Sequence, residues 1–220
     1  MIIFGTSTFS KLIKSYMENP AGGAKIEAFT VEKQYLTERE FCGIPVIPFE
    51  ELEDVFEKEH ISILNTCGYH DMNDVREKVF VMCKNKGYEI QSYVHSSAIL
   101  NGVEAGQGTI ILEHVLFEPF AKIGSGNIFA PDVLIGHDSV IGDFNYFSSG
   151  IKVCGGCSIG NHNFIGTNAV LKEHLTISDY NLVGAGTYLN VDLQDYMATA
   201  PVPCRIRQMT KTNLDRLINR

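Results

Sequence analysis

From Tyr93 onward an apolar residue recurs at every sixth position: Tyr93, Ile99, Ala105, Ile111, Phe117, Ile123, Phe129, Ile135, Ile141, Phe147, Val153, Ile159, Ile165, Leu171, Ile177, Val183 and Leu189. In a chain that is 45% hydrophobic, an unbroken run of this length in one register arises by chance roughly once in 10^5 trials. Glycine often follows the apolar residue, as at Gly124, Gly136, Gly142, Gly160, Gly166 and Gly184. Small or compact residues sit four after it, as at Thr109, Ala121, Ser139, Cys157, Ala169 and Thr187.

An α-helix would need apolar residues at i, i+3, i+4 and i+7, and a strand would need alternation; neither gives one large inward side chain in six. A prism does. If each hexad forms one short flat side and a corner, three hexads make a coil, and coils stack at the ~4.8 Å spacing of paired strands. The spacing then predicts Ile135 between Phe117 and Val153, with the apolar column filling the interior and glycines relieving the corners. Residues 93–203 therefore read as a parallel β-helix of a little under six coils, with no insertion that breaks register.

Residues 1–92 alternate strand, turn and helix instead. Met1 to Phe4 is a short apolar strand followed by a Gly5 turn, and Lys11 to Met17 begins a helix. A strand over Ile26 to Val31, a helix over Phe49 to Lys58 and a buried strand over Ile61 to Asn65 follow. A helix from Asp74 to Lys86 takes Asn73 as its N-cap. This order predicts a small parallel, Rossmann-like α/β unit. In the last segment, 204–220, Arg205, Arg207, Lys211, Arg216 and Arg220 face one acid, Asp215. Since the whole chain carries −8, the rest carries about −12. Met209, Leu214, Leu217 and Ile218 give this tail the spacing of a short amphipathic helix, a solvated cap or a phosphate contact.

Composition narrows the function classes. The net charge argues against general nucleic-acid binding. No apolar run is long enough for a membrane span, and the start, Met-Ile-Ile-Phe-Gly, lacks the basic region and apolar stretch of a signal peptide, so a cytoplasmic location is expected. Cysteines 42, 67, 83, 154, 157 and 204 show no secreted framework, so reduced thiols are expected. Cys154 and Cys157 form a lone CxxC, but they occupy small-residue slots of a hexad, which favours core or corner positions over zinc.

Two turns of the α/β unit are candidate ligand contacts. The first, at Gly5, could present backbone N–H groups to an anion, although one glycine is not the three-glycine dinucleotide fingerprint. The second runs from Gly68 to Arg76 at the end of a strand, the edge where open α/β sheets bind ligands. Within the repeat His114, His137, His162 and His174 stand out. His137 is the strongest candidate for proton transfer because Asp138 beside it can orient or polarise the imidazole. A metal-dependent hydratase would need several histidines converging, and these four fall at mixed hexad positions. The region before the repeat is too short for a sugar nucleotidyltransferase.

At this point the chain resembles a known family. Residues 93 to about 205 look like the left-handed β-helix acyltransferases. The whole chain is similar to their subgroup of sialic-acid O-acetyltransferases and amino-sugar N-acetyltransferases of bacterial glycan pathways, the bacillosamine pathway among them. The motifs that carry it are MIIFGTSTFS, the Gly68 to Arg76 turn followed by Lys86-Gly87-Tyr88, IGHDSVIGDFNYFSSG and CSIGNHNFIGTNAVL. The resemblance implies a left-handed coil and direct acetyl transfer from acetyl-CoA to the amine or hydroxyl of a sugar, without a metal. His137 would be the general base and Asp138 its acidic partner. Gly166, Thr167, Gly184 and Ala185 would line acetyl-CoA. Tyr146, where relatives often carry a second histidine, and Arg205, after the proline-rich turn that begins at Ala200, complete that set. The nucleotide-linked sugar would lie against Gly5, Thr6, Ser7, Thr8, Thr30, Glu32, Gly68 and Tyr69, with Val31 and Glu32 where relatives have an acidic pair. The resemblance further implies a homotrimer with active sites between subunits. A non-catalytic trimeric scaffold is the alternative from another class.

Overall fold

The structure is a computed structural model that describes residues 1–18 and 25–201. It consists of an α/β unit followed by a left-handed parallel β-helix, the class expected from the sequence. The amphipathic tail, with Arg205, lies outside the described residues.

In the α/β unit, β1 (Ile2–Phe4) is the central strand, fully apolar and buried on both faces. It runs parallel to β2 (Ala28–Val31) on one side and to β5 (Ser62–Asn65) on the other. β3 (Glu40–Phe41) and β4 (Ile44–Pro48) form an antiparallel hairpin at one edge, β6 (Glu89–Ile90) closes the other, and the order is β3-β4-β2-β1-β5-β6. Helix α1 (Thr8–Met17) starts at Ser7, whose hydroxyl accepts from the Ser10 N–H while Ser10 returns the bond, a capping box. Helix α2 (Asp74–Lys86) ends at Gly87, whose φ of 75° turns its N–H back onto the carbonyls of Cys83 and Lys84.

Two local expectations are corrected. The helix expected over Phe49 to Lys58 is two short 3-10 turns, Phe49–Asp54 and Lys58–His60. Only Phe49 and Leu52 are buried there, and a spacing of three fits the tighter helix. Asn73 does occupy the N-cap position of α2, but with φ of 75° and no side-chain cap. Its amide instead donates to the Asn163 carbonyl of the β-helix at 3.3 Å, a tertiary bond that displaces the local one.

The β-helix has three faces built from two-residue strands six residues apart. The first face runs from Tyr93–Val94 through Tyr146–Phe147 to Ala198–Thr199, the second carries Leu134–Ile135, and the third carries Val140–Ile141. Ile135 pairs with Phe117 on one side and Val153 on the other, as the spacing predicts. Every column residue from Ile111 to Leu189 is buried.

The register breaks at both ends, contrary to expectation. Tyr93 pairs with Ile110, so Val94 and not Tyr93 stands opposite Ile111. The Tyr93 ring stacks on Tyr16 of α1. Ile99 is 56% exposed, and its neighbour Leu100 packs on the core instead. At the far end Ile177 pairs with Leu193 and Leu182 with Ala198, which makes the last coil two residues shorter. The carboxylates of Asp192 and Asp195 accept the backbone N–H groups of Thr176 and Asp179 across this shortened coil.

Two ladders stiffen the corner between the third and first faces. Asn127, Asn145, Asn163 and Asn181 are buried one above another, each Oδ1 accepting a backbone N–H from the next coil at 2.7–2.9 Å. Outside them Phe144, His162, Tyr180 and Tyr196 form a continuous ring stack. The α/β unit sits on the first face, where Ile110 and Ile128 join the cluster formed by α1 and β2.

Candidate active site

His137 and Asp138 occupy the corner that follows Leu134–Ile135, between the second and third faces. Asp138 has φ of 57°, a conformation that Asp tolerates better than most residues. The His137 Nδ1 lies 2.8 Å from Asp138 Oδ2. A carboxylate only accepts, so Nδ1 carries the proton and Nε2 presents its lone pair. The His137 backbone N–H donates to Glu118 Oε2 at 2.8 Å. The bond to Asp138, with the charges of Asp138 and Glu118, raises the imidazole pKa above its ordinary value. The ring lies across Gly155 of the next coil, where a Cβ would come within 2.6 Å of Nε2. His174 lies across the adjacent Gly156 from the other side.

The residues assigned to acetyl-CoA stand elsewhere. Gly166 with Thr167 and Gly184 with Ala185 lie at the corner between the first and second faces, stacked on successive coils. A Cβ on Gly166 would fall 2.5 Å from the Ala185 nitrogen, so close coil stacking alone demands glycine there. Tyr146 is on the first face, directly after the corner between the third and first faces, its ring stacked on Phe164 and 5.1 Å from Tyr69. Burial raises the Tyr146 phenol above its ordinary value, Tyr69 adds to the shift, and Arg76 opposes it. Within one chain, His137 and this set are on different corners of the prism.

The sugar-nucleotide set converges better. Gly5 to Thr8 follow β1, Glu32 follows β2 and Gly68-Tyr69 follow β5, so they share the C-terminal edge of three adjacent parallel strands. Strand order reverses between β1 and β5, the place where open α/β sheets take ligands. Gly5 has φ of 118°, and a Cβ there would meet Ser10 Oγ at 2.9 Å. A cavity of about 250 Å³ opens beside Thr6, lined further by Val31, Leu36, Glu38, Phe41 and Val46. Glu32 pairs with Lys78 of α2 at 3.1 Å. Thr30 is fully buried, with no hydrogen bond to its hydroxyl.

Arg76, mentioned in the sequence only as the end of a turn, is 1% exposed and joins the two units. It donates to the carbonyls of Gly68, Gly126, Phe144 and Asn145 at 2.6–3.1 Å. Burial pushes its pKa down to about 10, which leaves it charged at neutral pH. Glu118 was also missed, because its role rests on a coil-to-coil approach that the hexad pattern does not mark. Cys157 lies in the β-helix core, and among the described residues Cys42, Cys67, Cys83, Cys154 and Cys157 are free thiols. Among the described residues, one group of side chains could hold a cation, Asp74, Glu77 and His162. No described helix is long and apolar enough to cross a membrane.

No family model and no curated protein matches the chain. Solved structures do. PerB from Caulobacter crescentus, in complex with CoA and GDP-perosamine, superimposes with a TM-score of 0.81 at 23% identity over 94% of this chain and 96% of its own. The acetyltransferase domain of PglB from Neisseria gonorrhoeae gives 0.79 at 22% identity over 90% and 94%. WeeI from Acinetobacter baumannii gives 0.78 at 24% identity over 90% and 94%. At this identity the likeness establishes the fold: the α/β unit and the β-helix occur together, in this order and over nearly the full length of each chain.

Proposed function

We propose that the protein transfers the acetyl group of acetyl-CoA to an amine of a nucleotide-linked amino sugar, a 3- or 4-amino-deoxy sugar of a surface-glycan pathway. The observation that carries this reading is the His137–Asp138 pair at 2.8 Å on an exposed β-helix corner. The amine nitrogen attacks the thioester carbonyl while Nε2 of His137 takes its proton, and Asp138 stabilises the imidazolium. A backbone N–H holds the oxyanion, and CoA leaves as the thiol. Residues 1–92 bind the nucleotide-sugar along the β1–β2–β5 edge, and Gly166, Thr167, Gly184 and Ala185 line acetyl-CoA. Two neighbours of the same fold support the assignment, one solved with CoA and GDP-perosamine and one with acetyl-CoA.

Because His137 and the acetyl-CoA set occupy different corners, one chain does not complete this site. A second copy that brings its His137 corner to the Gly166 corner does, and a closed homotrimer satisfies that demand for all three chains.

Thiol release from acetyl-CoA, measured against UDP-, dTDP- and GDP-linked 3-amino and 4-amino sugars and free sialic acid beside His137→Ala, tests the proposal. Turnover of an amino sugar that the variant loses is the expected result. Turnover of sialic acid alone would make the protein an O-acetyltransferase, and no turnover together with no acetyl-CoA binding would make it a scaffold.

A further inference from the structure

His162 is 6% exposed, its ring sandwiched between Phe144 and Tyr180 with centroids 5.6 and 4.6 Å away. Two carboxylates from the first turn of α2 reach it. Asp74 Oδ1 lies 3.1 Å from Nδ1, and Glu77 Oε2 lies 3.3 Å from Nε2. Yet Nδ1 is sealed from solvent and makes no hydrogen bond. A neutral imidazole has one bare nitrogen lone pair, so with an oxygen anion at each ring nitrogen an acceptor faces an acceptor. A cation between the bare nitrogen and its carboxylate would relieve that contact.

The geometry favours the cation. The approach at Nδ1 falls outside hydrogen-bond alignment, as it does when a nitrogen and an oxygen, each about 2 Å from one ion, bind at an angle to each other. One donor atom from each of Asp74, Glu77 and His162 lies within 4.8 Å of the other two. Tyr180 donates to Asp74 Oδ1 at 3.0 Å, the kind of outer bond that orients a metal-binding carboxylate. We propose that His162, through its bare Nδ1, binds a first-row divalent cation of the zinc class together with Asp74 and with Glu77 turned from its place at Nε2 toward the ion, which fastens the start of α2 to the β-helix. One imidazole with two carboxylates suits zinc or manganese better than calcium or magnesium, which prefer oxygen donors throughout. The site is on the corner between the third and first faces, away from the His137 corner, and it does not depend on the acetyl-transfer reading.

The test uses the full chain stripped with EDTA, titrated calorimetrically with zinc chloride, manganese chloride and magnesium chloride, with the thermal midpoint read in parallel. One zinc ion should bind per chain and raise the midpoint, with magnesium at least tenfold weaker. Asp74→Asn and His162→Gln should each weaken zinc by tenfold or more, and His114→Ala, which removes a surface imidazole, should not. If His162→Gln does not fold, Glu77→Gln replaces it. No zinc binding, or binding unchanged in Asp74→Asn and Glu77→Gln, would overturn the proposal.

Discussion

His137 and Asp138 are consecutive in the chain, and their side chains nevertheless meet, Nδ1 to Oδ2, at 2.8 Å. Neighbouring side chains in extended backbone point to opposite sides. The left-handed φ of 57° at Asp138 removes that divergence. The corner therefore sets up both the tautomer and the outward lone pair.

His137→Ala should lower kcat/KM for the acyl acceptor by roughly 10^2 to 10^4, with the thermal midpoint nearly unchanged because the side chain is exposed. Asp138→Asn should cost less, since Nε2 remains. Steady-state thiol release checks both. A His137→Ala variant with wild-type turnover would remove this residue from the chemistry.

The pH profile carries a sign. Since Asp138 and Glu118 raise the His137 pKa, and the working form is the neutral ring, kcat/KM should climb with pH through an inflection above the ordinary histidine value. Asp138→Asn removes the main cause and should move the inflection to lower pH. Glu118→Gln should move it the same way by less. An inflection that stays in place in Asp138→Asn would mean that another group is titrating.

Arg76→Met should destabilise the protein by about 3 kcal/mol or more. It strips the donor from the carbonyls of Gly68, Gly126 and Phe144, while that of Asn145 keeps the Ile128 N–H, and buried acceptors without partners cost about 1–3 kcal/mol each before relaxation. Arg76→Lys should recover only part, because a point ammonium cannot span the planar fork. Urea midpoints compare the three proteins.

Asn145 is the densest link of its ladder. Its Oδ1 accepts from the Asn163 N–H and Nδ2, while its own Nδ2 donates to the Gly160 carbonyl. Asn145→Ala should cost about 2–3 kcal/mol. Asn145→Asp keeps the acceptor but buries a charge and loses the donor, so it should cost more. Thermal midpoints near neutral pH decide the order.

The β-helix was legible because its constraint is one-dimensional. A narrow interior accepts one large side chain per flat side, so the inward column must repeat every six residues, and coil stacking converts that repeat into pairings such as Ile135 with Phe117 and Val153. The His137–Asp138 pair was legible for a related reason: its members are adjacent, and a corner was expected there. The column misled at its start, at Tyr93 and Ile99, and the expected unbroken register failed in the coil after Leu189, where a coil has a neighbour on one side only and other contacts set the register.

Tertiary structure decided everything that depends on two segments meeting. Arg76 is an ordinary helix residue in sequence, and only docking of α2 on the first face surrounds it with carbonyls. His162 was one of four histidines at mixed positions until the same helix brought Asp74 and Glu77 to its ring. Tyr146 and Tyr69 were assigned to different ligands, yet packing puts their rings 5.1 Å apart. A periodic pattern reports how each residue meets its own repeat, whereas these contacts arise from the rigid-body fit of two units, which no local period encodes.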